Sequence, residues 1–324
     1  MLAPVLSNAN RDQQRNPIMR RIVRRLVTSV TVCLAIVPGA VLLSGTPASA
    51  GPECMFLLYD LSSGMTAGGC DFGTQSGSSP GAVAPADDRL NATPTSWWTY
   101  YNVSPEAVPG LLNANGARLT DLRVVTASPL RFAVTMVRNT GAYASGYWWY
   151  YGVTMSQVNY YLSVNNARLI SAVRYGGVYA VVMVPNTGAN ARSWGWCDTD
   201  FTGVSACLGS TNRLTNIQSY APNRFVVIFT YNSEGYGWCW YAGISRTQLS
   251  NVCGGQSVMD LSANADGTFN VATVAAGPST PVGDFTAVAD LATCAVNAAK
   301  RSLFVTTFSS GGTTRWIGSF VPNA

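Results

Sequence analysis

The stretch WWYYGVTMSQVNYYLSVNNARLISAVRYGGVYAVVMVPNTG, residues 148–188, is one full copy of a pattern that organises most of the chain. It opens with an alternating aromatic run, which suits a β-strand. Thr154 follows at a helix N-cap position, and Gln157 stands at the spacing of a capping box. Two further strand-like segments then flank Gly176-Gly177, a hairpin turn signal. The segment therefore predicts a strand–helix–strand–strand unit.

The same pattern recurs along the chain at intervals of roughly 45–50 residues, a spacing typical of propellers and solenoids. Each copy begins near a tryptophan and continues with a segment resembling ARLISAVRY. The aromatic segments start at Trp98, Trp148, Trp194 and Trp238. A partial fifth copy covers 286–320. There the sequence predicts two strands, Ala292–Asn297 and Ser302–Phe308, followed by a segment around Trp316, with the helix missing.

Local signals define the predicted elements inside the four full copies. Helix N-caps are expected at Ser104, Thr154, Asp200 and Ser245. The corresponding helices are Pro105–Asn113, Met155–Val164, Phe201–Leu208 and Arg246–Val252. Hairpin turns are expected at Ser128-Pro129, Gly176-Gly177, Pro222-Asn223 and Asp266-Gly267. A unit this small needs its neighbours to complete a core. The predicted fold is a β-rich α+β repeat, a propeller-like ring or arc of about four to five strand–helix–strand–strand units.

The N-terminal residues have the features of an export signal. Met19–Arg25 is basic, Leu26–Leu43 is apolar, and Ala48-Ser49-Ala50 has the small-x-small pattern of a cleavage site. We expect a Sec-type signal peptide with an N-terminal extension over 1–50, cleaved after Ala50; the alternative is an uncleaved membrane anchor. The remaining domains are a short disulfide hairpin at 51–72, a Gly/Ser/Pro-rich linker at 73–96 and the repeats at 97–324. The expected product is extracellular and monomeric, without stable membrane insertion.

The distribution of charge and the missing residue types exclude several functions. Six of the twenty basic residues precede residue 26, and beyond that point basic and acidic residues are equal in number. No basic face for nucleic acid is therefore expected. The chain contains no histidine, and Lys300 is its single lysine. With no histidine and no suitably placed lysine, a serine nucleophile has no evident base. The absence of histidine and of Cys-x-x-Cys pairs also argues against a metal site, and we expect no cofactor.

Seven cysteines follow the predicted signal peptide. Close spacing suggests the pairs Cys54–Cys70, Cys197–Cys207 and Cys239–Cys253, although connectivity does not follow from sequence. The last two pairs take similar places in neighbouring repeats, which predicts a staple from strand to helix. Cys294 is left over, and a buried free thiol is favoured over a reactive one.

The units resemble the bacterial tandem repeat found in secreted proteins and in the N-terminal region of polyglycine hydrolases. The matching residues are Trp148–Thr154 and Arg168–Ser171, and the resemblance covers about residues 97–276, with a weaker tail to 320. It implies a secreted, actinobacterial type of protein with a propeller-like β-rich domain. In that family the chemistry belongs to a separate β-lactamase-like domain with a Ser-x-x-Lys motif. Here Asn297 stands three residues before Lys300, so no catalytic residue is carried over.

Two sets of repeated side chains are candidates for ligand binding. The tryptophans could fill the core between units or form a stacking surface for carbohydrate or peptide. The arginines could be structural or could face a central channel and hold a carboxylate. These candidates are Trp98, Trp148, Trp194, Trp238, Arg118, Arg168 and Arg213. Asp198 and Asp200 form a close acidic pair, but Asp200 is also the expected helix cap, which argues against paired acid/base catalysis.

The sequence leaves two classes of function open. The leading hypothesis is a secreted non-enzymatic binding or scaffold module, whose ligand is a glycan, a peptide or another secreted protein. The alternative is a secreted, peptidase-like hydrolase of unrecognised mechanism. A hydrolase would need titratable groups gathered in one concave site.

Overall fold

The computed structural model describes residues 55–59, 90–249, 252–275 and 283–323, except positions 92, 255 and 284. The predicted signal peptide, both Cys54 and Cys70, and most of the predicted linker lie outside the described residues. Among the described helices, none has the length and apolar character needed to cross a membrane.

The described chain is a series of five similar units. The strand β1 (Met55–Tyr59) precedes the first unit, which comprises β2 (Trp97–Val103), α1 (Val108–Asn115), β3 (Ala117–Ala127) and β4 (Leu130–Arg138). The second unit comprises β5 (Trp148–Val153), α2 (Met155–Val164), β6 (Ala167–Tyr175) and β7 (Val178–Pro185). The third comprises β8 (Trp194–Thr199), α3 (Phe201–Leu208), β9 (Asn212–Ala221) and β10 (Arg224–Tyr231). The fourth comprises β11 (Trp238–Ile244), α4 (Arg246–Leu249), β12 (Ser257–Ala263) and β13 (Phe269–Val274). The fifth comprises α5 (Val288–Asn297), β14 (Lys300–Ser310) and β15 (Thr313–Pro322).

Each unit contributes a small antiparallel sheet with one repeated strand order. In the second unit the order is β5–β7–β6, so the last strand lies between the other two, and the third and fourth units repeat this arrangement. In the first unit β1 pairs with the outer edge of β2 and adds a fourth strand. The described part of the predicted 51–72 hairpin therefore belongs to the first sheet.

The helix starts follow the predicted caps in three of the four full units. Thr154 forms the predicted capping box with Gln157. Asp200 accepts a hydrogen bond from the Gly203 amide at 2.8 Å, and Ser245 accepts one from the Gln248 amide at 3.3 Å. The N-cap prediction at Ser104 is wrong: its carbonyl closes a turn with the Ala107 amide, and α1 begins only after that turn, with Ala107 as its N-cap.

The predicted content of the fifth unit is also wrong. The segment expected as the strand Ala292–Asn297 belongs to the helix α5, and this unit therefore has a helix. Val288, Leu291, Ala292 and Ala295 are all buried, and this is the spacing of one helix face. What the fifth unit lacks, within the described residues, is its first strand. Phe285 marks that place by forming a single antiparallel bridge with Trp316 of β15.

A β-bulge confirms that the five units share one pattern. The second strand of every unit skips one residue in its pairing with the third strand, and a bulge of this kind bends and twists the strand locally. The skipped residues occupy the same repeat position and are Thr120, Ile170, Thr215, Met259 and Leu303.

The apolar core is divided into five clusters, each combining residues of two neighbouring units. Neighbours therefore complete one another's cores, as expected for small repeats. The last cluster joins the fifth unit to the first. Representative pairs, in order along the chain, are Leu122 with Val173, Val181 with Val226, Ile217 with Ala272, Leu261 with Phe304, and Phe320 with Trp97.

Candidate functional site

The three predicted arginines lie at one repeat position near the start of the second strands. Arg118, Arg168 and Arg213 are all buried, between 1% and 7% exposed. The Nε of Arg118 donates to the carbonyl of Tyr143 at 2.8 Å. Arg301 occupies the same position in the fifth unit, 5.3 Å from the centre of the Tyr143 ring, and sequence comparison missed it. This burial favours a structural role over ligand binding.

The four predicted tryptophans do not share one surface. Trp98 is buried, and the other three are half-buried. Strand pairing places Trp98 and Trp148 at one repeat position but Trp194 and Trp238 one residue earlier. A shift of one residue turns a side chain to the opposite face of a strand. Trp148 and Trp194 accordingly share the cluster between the second and third units, approaching it from opposite sides.

The tryptophans that are equivalent in structure are Trp149, Trp196 and Trp240. Their strand partners are Val182, Ile228 and Ala272. Each of these partners also pairs with the residue that directly follows the bulged residue on the second strand of its unit. All three are half-buried and face the preceding unit. Because each first strand carries more than one aromatic residue, the sequence alone does not show which register is correct.

A buried polar network connects the second strands of the repeats. The Nε of Arg123 donates to Asp121 at 2.7 Å, and its remaining nitrogens bond to Asp260 and to the Leu261 carbonyl. Its guanidinium lies 4.1 Å from the centre of the Phe304 ring. Burial alone would lower the pKa of Arg123, but Asp121 and Asp260 raise it, so the group stays charged.

Asp260 extends this network into the third unit. One of its oxygens accepts from the Asn216 side chain at 2.7 Å, from the Ile217 amide at 2.7 Å and from the Gln218 side chain at 2.9 Å. Asp260 is fully buried. The network is closed to solvent and joins separate repeats, which is a structural role.

A second polar cluster reaches the surface between the second and third units; we call it the Asp198 cluster. Both oxygens of Asp198 are engaged. Oδ2 accepts from the hydroxyl of Tyr179 and from Nη1 of Arg174 at 2.7 Å. Oδ1 accepts from the hydroxyl of Tyr220 at 2.6 Å and lies 3.6 Å from Nη2 of Arg224. The Asp198 side chain is 2% exposed, whereas the side chains of Arg174 and Arg224 are 31% and 45% exposed.

Three members of the Asp198 cluster depart from the repeat pattern at their positions. Tyr179 stands where the other full units have Phe132, Phe225 and Phe269. Its strand partner Arg174 stands where they have Val124, Ser219 and Ala263. Asp198 itself stands where they have Tyr101, Tyr151 and Ala242. At the equivalent seam between the first two units, the Phe132 and Tyr151 rings simply pack at 6.0 Å. Two charged residues and a tyrosine thus stand together at one seam, on two units, at positions where the other full units carry no charge.

Asp198 and Tyr179 each keep one protonation state near neutral pH. Burial would raise the pKa of Asp198, but hydrogen bonds from Tyr179, Tyr220 and Arg174 and the charge of Arg174 lower it below its ordinary value. The pKa of Tyr179 is raised, first by burial and then by its hydrogen bond to Asp198. Near neutral pH the carboxylate is ionised and this phenol is protonated. Neither group is suited to exchange a proton during catalysis.

Other catalytic arrangements find little support. Asp200 caps α3 through the Gly203 amide, so it does not face Asp198 as the second member of a catalytic pair. Among the described residues there is no group of three His, Cys, Asp or Glu side chains that could hold a metal ion.

The cysteines confirm two predictions and correct a third. Cys197 and Cys207 stand at disulfide distance, with Cα atoms 6.6 Å apart, and Cys239 and Cys253 do so at 6.5 Å. Both pairs tie a first strand to the helical segment that follows it. Cys294 is buried as predicted, but it is disulfide-bonded and not a free thiol. Spacing along the sequence does not establish disulfide connectivity, and it gave no partner for Cys294.

No family model matches the chain, and no curated protein matches it.

Proposed function

We propose that the chain is a secreted, non-enzymatic binding module built as a propeller-like ring of five units. The closed ring is supported by the apolar cluster between Trp97 of the first unit and Phe320 of the fifth. Closure would also cover the apolar faces that an open arc of small sheets leaves exposed at its two ends. The proposed product is a monomer.

The Asp198 cluster is the observation that carries the binding function. It is polar, partly exposed and confined to one of the seams between otherwise similar units. The repeat does not require these substitutions, because at the equivalent place between the first two units the rings of Phe132 and Tyr151 pack together. The fixed protonation states of Asp198 and Tyr179 suit recognition of a ligand and not proton transfer.

Secretion and family membership are parts of the same proposal. The Sec-type signal with cleavage after Ala50 is supported by the sequence pattern. Two cysteine pairs at disulfide distance fit an oxidising compartment. The repeated strand–helix–strand–strand units fit the bacterial tandem repeat that the sequence resembles. The ligand classes under this proposal are a glycan, a peptide or another secreted protein.

The test uses the protein purified from culture supernatant, with its N-terminus sequenced and expected at Gly51. It is assayed with a panel of peptidase, glycosidase and esterase substrates, and in parallel by pull-down with glycans, peptidoglycan and secreted proteins. We expect specific capture of a ligand and no turnover. Turnover that survives purification and disappears with one Ser or Asp substitution would establish the hydrolase alternative instead.

A further inference from the structure

Arg174 is partly exposed, and the Nε–Nη2 edge of its guanidinium is available to a ligand. Its Nη1 alone makes the internal contacts, to Asp198 at 2.7 Å and to the Tyr220 hydroxyl at 3.0 Å. In the part of the chain that the structure describes, its Nε and Nη2 atoms have no hydrogen-bond partner. The guanidinium also lies 5.0 Å from the centre of the Tyr220 ring, which restrains its orientation. A planar Nε–Nη2 edge is the geometry that binds a carboxylate through two parallel hydrogen bonds.

A second guanidinium lies on the same aspartate. The Nε of Arg224 donates to the Tyr220 hydroxyl at 3.1 Å, and its Nη2 lies 3.6 Å from Asp198. Asp198 is the carboxylate that contacts both arginines. Asp200 accepts a hydrogen bond from the Gly203 amide, and its charge also acts on Arg224. Arg224 is therefore compensated by two carboxylates, whereas Asp198 is the carboxylate that acts on Arg174.

The third unit also offers an open strand edge beside this cluster. Asp198 lies on β8, whose outer edge pairs with no strand among the described residues. In the first unit the equivalent edge of β2 pairs antiparallel with β1, over Met55–Tyr59. The outer edge of this repeat therefore accepts an extended chain segment in at least one unit. A strand edge recognises peptide backbone, and this favours a peptide over a glycan as ligand.

We propose that the Asp198 cluster binds an acidic peptide, with a ligand carboxylate on the Nε–Nη2 edge of Arg174. This inference rests on the proposed binding function and names its ligand class. Asp198 and Tyr220 act as positioning residues that hold Arg174 in place before the ligand arrives. Arg224 contributes the second positive charge.

The experiment measures binding of a capped oligoglutamate to the purified mature chain by calorimetry, with capped oligoglutamine and polygalacturonate as comparison probes. The variants are Arg174→Gln, Arg174→Lys and the control Arg138→Gln, which removes an exposed arginine outside the cluster. Oligoglutamate should bind and oligoglutamine should not. Arg174→Gln should weaken binding roughly tenfold or more, because a charged bidentate contact is lost. Arg174→Lys should restore only part of the affinity.

Three outcomes would overturn the inference: no binding of oligoglutamate, equal weakening by Arg138→Gln, or Arg174-dependent binding of polygalacturonate alone. Thermal unfolding of each variant identifies any that is misfolded. If Arg174→Gln is misfolded, Arg224→Gln is measured in its place, and the same loss of oligoglutamate binding is expected. Catalytic turnover would contradict the proposed function and leave the oligoglutamate result intact, so the two failures are distinguishable.

Discussion

Thr95 and Asn323 are 228 positions apart in sequence and exchange two hydrogen bonds. The Thr95 amide donates to Oδ1 of Asn323 at 3.0 Å, and Nδ2 of Asn323 donates to the Thr95 carbonyl at 3.0 Å. Asn323 is 1% exposed, so these bonds are shielded from water. They connect the segment entering β2 to the segment leaving β15, at the same junction where the first and fifth units share an apolar cluster.

Replacement of Asn323 by alanine should destabilise the domain. Two buried backbone groups of Thr95 would lose their partners, at a cost of about 1–3 kcal/mol. In a domain of this size we expect the thermal midpoint to fall by several degrees, on the order of 2–4 °C per kcal/mol. The control is Asn159→Ala on the exposed face of α2, which should leave the midpoint nearly unchanged. Equal midpoints for the two variants would show that the junction is not closed in this way.

Replacement of Arg123 by methionine should lower the free energy of unfolding more than replacement of Asn323 by alanine. The Arg123 replacement would remove the buried guanidinium that contacts the carboxylates of Asp121 and Asp260, and breaking a buried pair typically costs about 3–5 kcal/mol. Denaturant unfolding of Arg123→Met and of the exposed control Arg138→Met measures the difference. A double variant, Arg123→Met with Asp260→Asn, should recover part of the loss. If Arg123→Met is as stable as the control, the network does not hold the units together.

The local elements were largely predictable, because their signals lie within a few residues. The capping box of Thr154 and Gln157 and the turn at Gly176-Gly177 are of this kind. The helix of the fifth unit was not predictable from sequence. The short segment Ala292–Asn297 fits a buried strand or a buried helix equally well until its neighbours are known. The helix there is decided by packing of Leu291 and Ala295 against the first unit.

The Asp198 cluster was the least predictable part of the protein. Asp198 was visible in sequence only beside Asp200, whereas its partners Arg174 and Tyr220 lie more than twenty residues away on either side. One signal was available: Tyr179 replaces the phenylalanine of the other copies. Its meaning depends on the strand register, and a one-residue error in aligning the tryptophans hides the equivalence of Asp198 with Tyr151.

Replacement of Asp198 by asparagine should lower stability in a pH-dependent manner. Because the pKa of Asp198 is lowered in the folded protein, its contribution is present above the unfolded-state pKa of about 4 and is lost as pH falls through the folded value. The stability difference between wild type and Asp198→Asn should therefore be largest near neutral pH and shrink below about pH 4. Denaturant titrations at several pH values test this, with exposed Asp290→Asn as control. A difference that stays constant down to acidic pH would refute the ionised, hydrogen-bonded state of Asp198.

Peptide mapping without reduction should recover Cys197 linked to Cys207 and Cys239 linked to Cys253. Each pair closes a short loop, and the chain-entropy model assigns a loop of this length about 3 kcal/mol. Cys294 should resist alkylation in the unfolded, unreduced protein, because it is disulfide-bonded. Recovery of alkylated Cys294 would restore the original expectation of a free thiol. Alkylation of Cys197 or Cys239 would contradict the strand-to-helix staples.

The claim that the five units form one closed ring is tested most directly by deleting Arg315–Ala324, which removes most of β15 and Asn323. If the fifth unit closes the ring, hydrogen exchange should speed up throughout the domain, including the β2 and β4 amides of the first unit, and the thermal midpoint should fall sharply. The apolar cluster that β15 shares with Trp97 would be lost along with the Thr95–Asn323 bonds. An unchanged midpoint, with faster exchange confined to α5 and β14, would contradict the closed ring.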